Sequence, residues 1–229
     1  VTKAYEKRKN CCGVLAMKIL LRLVLLSCVV NFGLLRPALA EDAIFAGGCF
    51  WCVESDFESV PGVLDARSGY IGGPAAQADY KTVSKGGTGH YEAVLIRFDP
   101  AKISYDALLH KFWRSVDPLD AGGQFCDRGD SYRTAVFTTS DAQAAKARAS
   151  KAAAETVLGQ RIVTPIVPAT AFYPAEAFHQ DYYKSSKKVL TRFGLIKRKD
   201  AYKKYRVACG RDARIKALWG GQAHALPAS

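Results

Sequence analysis

The sequence predicts an α+β fold: a single two-layer α/β sandwich domain with a mixed sheet and an irregular, basic C-terminal tail. Three observations carry this expectation. Short apolar runs bounded by Gly and Pro interleave with stretches of helical periodicity. The turns between them are short enough for antiparallel pairing, so the strands need not follow a strict βαβ order. Hydrophobic residues make up 49% of the 229, including 11 Tyr and 11 Phe, which is ample for a packed core.

The elements follow in order. Ala43–Gly48 is short, apolar and ends in two glycines, so it is expected as a strand. Cys49–Ser59 has helical spacing and is stopped by Val60-Pro61-Gly62. Val63–Tyr70 is a second strand, broken by Gly72-Gly73-Pro74. A tight loop at Lys85–His90 leads into the strand Tyr91–Phe98, closed by Asp99-Pro100. Ser104 N-caps a helix reaching Val116, with Leu108, Leu109, Phe112 and Trp113 on its apolar face. After a polar, Gly-rich loop from Asp117 to Ser131, a strand runs from Tyr132 to Thr138. Ser140 or Asp141 caps an Ala-rich helix ending near Leu158. Ile162–Val167 is another strand, Pro174-Ala175-Glu176 is expected to start a short helix, and the basic tail is expected to be helical in places.

Residues 1–40 read as a leader and 41–229 as the domain with its tail. From Met17, the only methionine, a charged start (Lys18, Arg22) leads to an apolar stretch and then to Ala38-Leu39-Ala40. That pattern fits a secretory signal peptide cleaved after Ala40, and it favours Met17 over Val1 as the first translated residue. Leu25-Leu26-Ser27-Cys28 is a weaker, lipoprotein-like alternative. The apolar run is well short of the roughly 20 residues that span a bilayer, so no membrane span is expected in the mature form.

The net charge of +12 is unevenly spread. Between Lys184 and Lys216, 13 Lys or Arg stand against Asp200 and Asp212. Such a run serves either as a surface for acidic partners or as a solvated face, and the second is the commoner case. No phosphate loop, zinc-finger spacing or RNA-binding aromatic motif accompanies it, which argues against nucleic acid as a partner.

Of seven cysteines, Cys11, Cys12 and Cys28 fall in the leader, leaving Cys49, Cys52, Cys126 and Cys209. On count alone, four cysteines in an exported chain read as two structural disulfides. Position argues otherwise for Cys49. It follows a strand and two glycines and opens a helix, whose unpaired N–H groups and dipole favour a thiolate. Cys52 lies one turn on, so the pair can close a small disulfide. His90 and His179 are assigned no chemistry, and no His/Cys spacing compels a metal site.

Gly47-Gly48-Cys49-Phe50-Trp51-Cys52-Val53-Glu54 closely resembles the active-site signature of the peptide methionine sulfoxide reductase A family. The resemblance covers most of residues 43–220. It takes in Gly69-Tyr70 with Gly72-Gly73, Tyr80-Lys81-Thr82-Val83 and Thr88-Gly89-His90-Tyr91-Glu92-Ala93-Val94. It continues through Asp117-Pro118, Cys126-Asp127-Arg128-Gly129, Ser131-Tyr132-Arg133, Phe172-Tyr173-Pro174-Ala175-Glu176 and His179-Gln180-Asp181-Tyr182.

What the resemblance implies is an enzyme that reduces methionine-S-sulfoxide, free or in proteins, without a cofactor. It assigns Cys49 as nucleophile, Glu92 as proton donor, Tyr80 and Tyr132 as donors to the oxygen, and Asp127 as an orienting group. Phe50 and Trp51 would line the pocket for the S-methyl group. These residue types suit the chemistry. A thiolate can attack the sulfoxide sulfur if the oxygen is protonated as it leaves, and a carboxyl in an apolar pocket keeps its proton. A sulfenic acid then remains on Cys49, for a second thiol to condense with. The family varies in where that thiol lies, and many members have glycine where this chain has Cys52. Cys52 is favoured slightly, Cys209 comes second, and Cys126 is a third candidate.

Two other classes of function remain at this stage. One is a general dithiol–disulfide oxidoreductase using Cys49 and Cys52, for which Glu92, Tyr80 and Tyr132 would be idle. The other is a disulfide-stapled secreted binding module. The expected compartment is extracytoplasmic, in the manner of a periplasmic protein. The expected partners are oxidised proteins or peptides and a thioredoxin-like reductant.

Overall fold

The structure, a computed structural model, describes residues 39–227. The leader up to Ala38, including the signal-like segment from Met17 and the lipoprotein alternative at Cys28, lies outside the described residues. Ten strands are found among those described: β1 (Glu41–Gly47), β2 (Val63–Ile71), β3 (Tyr91–Phe98), β4 (Gly123–Gln124), β5 (Asp127–Arg128), β6 (Thr134–Thr138), β7 (Ile166–Pro168), β8 (Phe172–Pro174), β9 (Lys188–Thr191) and β10 (Gly194–Lys197). The helices are α1 (Phe50–Glu58), α2 (Tyr80–Val83), α3 (Tyr105–Trp113), α4 (Asp141–Leu158), α5 (Arg198–Ala208) and α6 (Arg211–Trp219).

Alternation along the strands decides what each side chain meets. In β1, Ala43 and Phe45 face a core shared with Phe57 of α1 and with Phe112 and Trp113 of α3. Ile44 and Ala46 point the other way, to Ile71, Ala93 and Phe137. Phe45 stacks on Phe112 with ring centroids 4.8 Å apart. Burying such a ring contributes about 2–3 kcal/mol, so β1 is held between its neighbours by core packing on both faces. The sheet order is β7-β6-β1-β3-β2-β8. All neighbours are antiparallel except β6 and β7, so the sheet is mixed, as expected. The caps act as predicted: the side chain of Ser104 accepts from Ala107 N and that of Ser140 from Gln143 N.

Four expectations need correction. Tyr132 lies in a single 3-10 turn, Asp130–Tyr132, and β6 starts at Thr134. The strand expected from Ile162 begins only at Ile166. Upstream, Val163 N is committed to Pro118 O and the Thr164 hydroxyl to that of Thr134 at 2.8 Å, while Pro165 has no N–H to give. Pro174 does not start a helix. It ends edge strand β8, opposite Gly69, and the Glu176 carboxylate is drawn to Tyr70 and Tyr80 instead. The tail, expected to be irregular with helices in places, is regular along most of its length. It forms the β9–β10 hairpin and two helices, because Ala201, Tyr202, Ile215 and Trp219 supply a buried stripe hidden among its charges.

Candidate active site

Gly47 and Gly48 end β1 and turn the chain into α1. Gly48 has φ +82°, and a Cβ there would lie 2.5 Å from Cβ of Gln124, so only glycine fits. Gln124 is fully buried and locked to Asp117: its Oε1 accepts from Asp117 N and its Nε2 donates to Asp117 O, both at 2.8 Å. The close approach leaves Cys49 as the N-cap of α1, with its carbonyl accepting from Cys52 N at 3.0 Å. Cys49 is half-buried, and its sulfur sits at the positive end of the helix.

Glu92 comes from β3, on the side that alternation turns toward the helices with Val94, Ile96 and Phe98. It is 2% exposed, which excludes a solvated-face role. Its Oε2 accepts from Phe50 N, the first residue of α1, at 3.0 Å. Burial pushes its carboxyl up to about 8, with the neighbouring Asp127 adding to the rise, so it holds a proton at neutral pH.

Tyr80 and Tyr132 reach the same cleft from α2 and from the 3-10 turn. Burial raises both hydroxyls, that of Tyr80 to about 12, so both are donors at any physiological pH. Asp127 is raised by burial too, against the pull of Arg211. Phe50 and Trp51 line the cleft, whose volume is about 440 Å³. Trp51 stacks face to face on Tyr182 at 3.8 Å.

The two free thiols act on each other. A hydrogen bond to Cys52, reinforced by burial and by Glu92 and Asp127, pushes the Cys49 thiol up. The same hydrogen bond, helped by Arg211 and Arg206, brings Cys52 down to about 7 despite its burial. The two sulfurs are thus coupled at the start of α1, with burial opposing a charge on Cys49 and the Arg211 and Arg206 guanidinium groups favouring one on Cys52. Cys126 and Cys209 also line the cleft, but they are joined to each other in a disulfide and in this state neither is a thiol.

Several further residues position the site, none of them assigned a role from the sequence. Glu176 receives Tyr70 OH and Tyr80 N, each at 2.9 Å, and so sets where α2 and the Tyr80 ring begin. His179, 1% exposed, accepts from the Trp51 indole N–H at 3.1 Å and packs its ring 4.4 Å from Tyr80. Burial lowers it to about 4, so it is a neutral spacer. Arg211, also 1% exposed, donates to Gly47 O at 3.1 and 3.2 Å and to Ser115 O at 2.9 Å. Arg206 pairs with Asp56 of α1 at 2.9 Å. The motif segments had already flagged Glu176 and His179 without a role. Arg206 and Arg211 stood only in the basic run.

Residues 41–216 match the family described as peptide methionine sulfoxide reductase. A peptide methionine sulfoxide reductase of Caulobacter vibrioides is 48% identical over 193 residues, covering 82% of this chain and 92% of that protein. One from Rhizobium meliloti is 46% identical over 200 residues, covering 86% and 94%. Among solved structures, methionine sulfoxide reductase A of Corynebacterium diphtheriae has a TM-score of 0.60 at 31% identity, covering 64% of this chain and 74% of that one. Mxr1 of Saccharomyces cerevisiae in reduced form has a TM-score of 0.61 at 30% identity, covering 64% and 86%. On the extent of these matches, together with the cleft that gathers Cys49, Glu92, Tyr80 and Tyr132, the chain belongs to the peptide methionine sulfoxide reductase family.

Proposed function

We propose that the protein reduces methionine-S-sulfoxide through Cys49, with Glu92 as proton donor and Cys52 as resolving thiol. The observation that carries this is the meeting of Cys49 and a buried, protonated Glu92 at one helix N-terminus. The Cys49 thiolate attacks the sulfoxide sulfur. Glu92 gives its proton to the oxygen as the S–O bond weakens, and Tyr80 and Tyr132 donate hydrogen bonds to that oxygen. The oxygen passes to the Cys49 sulfur, leaving methionine and a sulfenic acid. The Cys52 thiol displaces that oxygen as water and closes the Cys49–Cys52 disulfide, which an external dithiol protein of thioredoxin type reduces. Because Cys126 is tied to Cys209, Cys52 is the free thiol at hand.

Export to an extracytoplasmic space belongs to the same proposal. Its support is the signal-like segment Met17–Ala40 and a disulfide separate from the Cys49–Cys52 pair, of the kind that persists in oxidising compartments. The reductant must then work outside the cytosol.

The test is turnover of resolved methionine R- and S-sulfoxides with dithiothreitol, followed by mass spectrometry after a single turnover without reductant. The expected result is reduction of the S form alone, with a Cys49–Cys52 linkage, and no activity in Cys49→Ser. Equal rates on both epimers, or turnover by Cys49→Ser near that of the parent, overturns it.

A further inference from the structure

Strand β9 presents an edge, not a face, to the catalytic cleft. Val189, Leu190 and Thr191 all line it, although successive side chains of a strand point to opposite faces, and Arg192 of the following turn continues the lining. No residue of β10 lines it. Val189 packs against the group formed by Cys49, Cys52, Trp51 and Tyr182. Helix α5 packs against both β9 and β10, so it covers one face of the hairpin and not this edge.

Register shows what the edge offers. Thr191 and Gly194 flank the two-residue turn Arg192-Phe193 and form the hydrogen-bonded pair that such a turn requires. Leu190 opposite Leu195 is then a non-hydrogen-bonded pair, as is Lys188 opposite Lys197. The N–H and C=O of Leu190 and Lys188 therefore point away from β10. The Leu190 side chain is 79% exposed, and Lys187, Lys188, Arg192 and Lys197 surround the strand.

We infer that β9 is the docking edge for the substrate's own backbone: an extended peptide pairs with Leu190 and Lys188 as an added strand and lowers its methionine sulfoxide side chain into the cleft. This rests on the sulfoxide reduction proposed above and names its substrate class, unfolded or strand-edge segments carrying acidic neighbours. Main-chain bonds supply affinity without demanding a sequence, and the surrounding cations favour Asp or Glu beside the oxidised residue. Free methionine sulfoxide cannot use the edge.

The experiment compares kcat/KM, with dithiothreitol as reductant, for free methionine-S-sulfoxide and for capped five-residue peptides with that residue at the centre. The peptides are either unmodified or N-methylated at one backbone position. The unmodified peptide is expected to exceed the free amino acid by roughly tenfold, and N-methylation to remove roughly tenfold at one parity of positions and little at the other. Leu190→Pro removes one outward N–H and no hairpin bond, so the ratio of peptide to free activity should fall toward one. N-methylation without a parity pattern, or a ratio unmoved by Leu190→Pro, overturns the edge. Turnover of free sulfoxide with no gain for the peptide overturns it while leaving sulfoxide reduction standing. No turnover of either overturns both.

Discussion

The cleft has two walls of different construction. The inner wall is Cys49, Phe50 and Glu92, held by β1, β3 and the start of α1, with Tyr80 and Tyr132 brought to it by α2 and the 3-10 turn. The outer wall is the tail: β9, Tyr202 and Arg206 of α5, and Arg211 of α6. The inner wall is fixed by strand alternation and by one helix terminus. The outer wall is fixed by a disulfide and by two arginines planted among backbone carbonyls and Asp56. The contrast assigns the chemistry to the inner wall, with Cys52 one turn along α1, and access and support to the outer one.

The largest effect should come from the inner wall. Glu92→Gln keeps the shape but cannot donate a proton to the leaving oxygen, and kcat should fall about a thousandfold with KM little changed. Steady-state kinetics reads this, and a loss confined to KM would reduce Glu92 to a binding group. The same variant tests the pH dependence of stability. The folded protein holds this proton up to about 8, against an ordinary value of 4.5. That contribution is therefore complete below about pH 4.5 and is lost as pH rises through about 8, by up to about 5 kcal/mol. Melting temperatures at pH 5 and pH 9 should differ less in Glu92→Gln than in the parent. Buried Glu54, raised to about 7, leaves a residual slope of the same sign.

The outer wall should answer in stability first. Replacing both Cys126 and Cys209 by Ser removes a cross-link across 83 residues, which should lower stability by about 4 kcal/mol. Dithiothreitol-driven turnover should survive at temperatures where the variant is folded. Loss of turnover there would place this pair inside the catalytic cycle and erase the division between walls. Arg211→Met should cost about 3 kcal/mol, because it leaves Gly47 O and Ser115 O without their donor. It should also raise the Cys52 thiol, so activity in Arg211→Met should peak at higher pH than in the parent. An unmoved pH profile would show that the arginine only supports the backbone.

The same contrast explains how much could be read from the sequence. The bounds of β3, the Ser104 and Ser140 caps, and Cys49 at a helix start are local matters, settled by alternation, capping residues and glycines within a few positions. Glu92 was legible from its motif, through the family resemblance. The outer wall was not, because its contacts span the chain. Arg211 and Gly47 are 164 residues apart, and Trp51 and His179 are 128 apart. Nothing near Arg211 distinguishes it from the solvated cations around it. The tail hairpin was missed for a related reason: β9 and β10 bury little apolar surface of their own and depend on α5.

The link between Cys126 and Cys209 also makes a covalent ring. Strands β5 to β10, helices α4 and α5, and the exposed Lys187 and Lys188 lie within it, while Cys49, Cys52, Glu92 and Tyr80 lie outside. A protease that cuts once anywhere between the two bridged cysteines produces two ends and no separate fragments. The severed tail stays tethered beside the thiols, and the α6 segment beyond Cys209 cannot drift away. A nick at Lys187 or Lys188 would open the ring but leave the molecule in one piece until its disulfide is reduced.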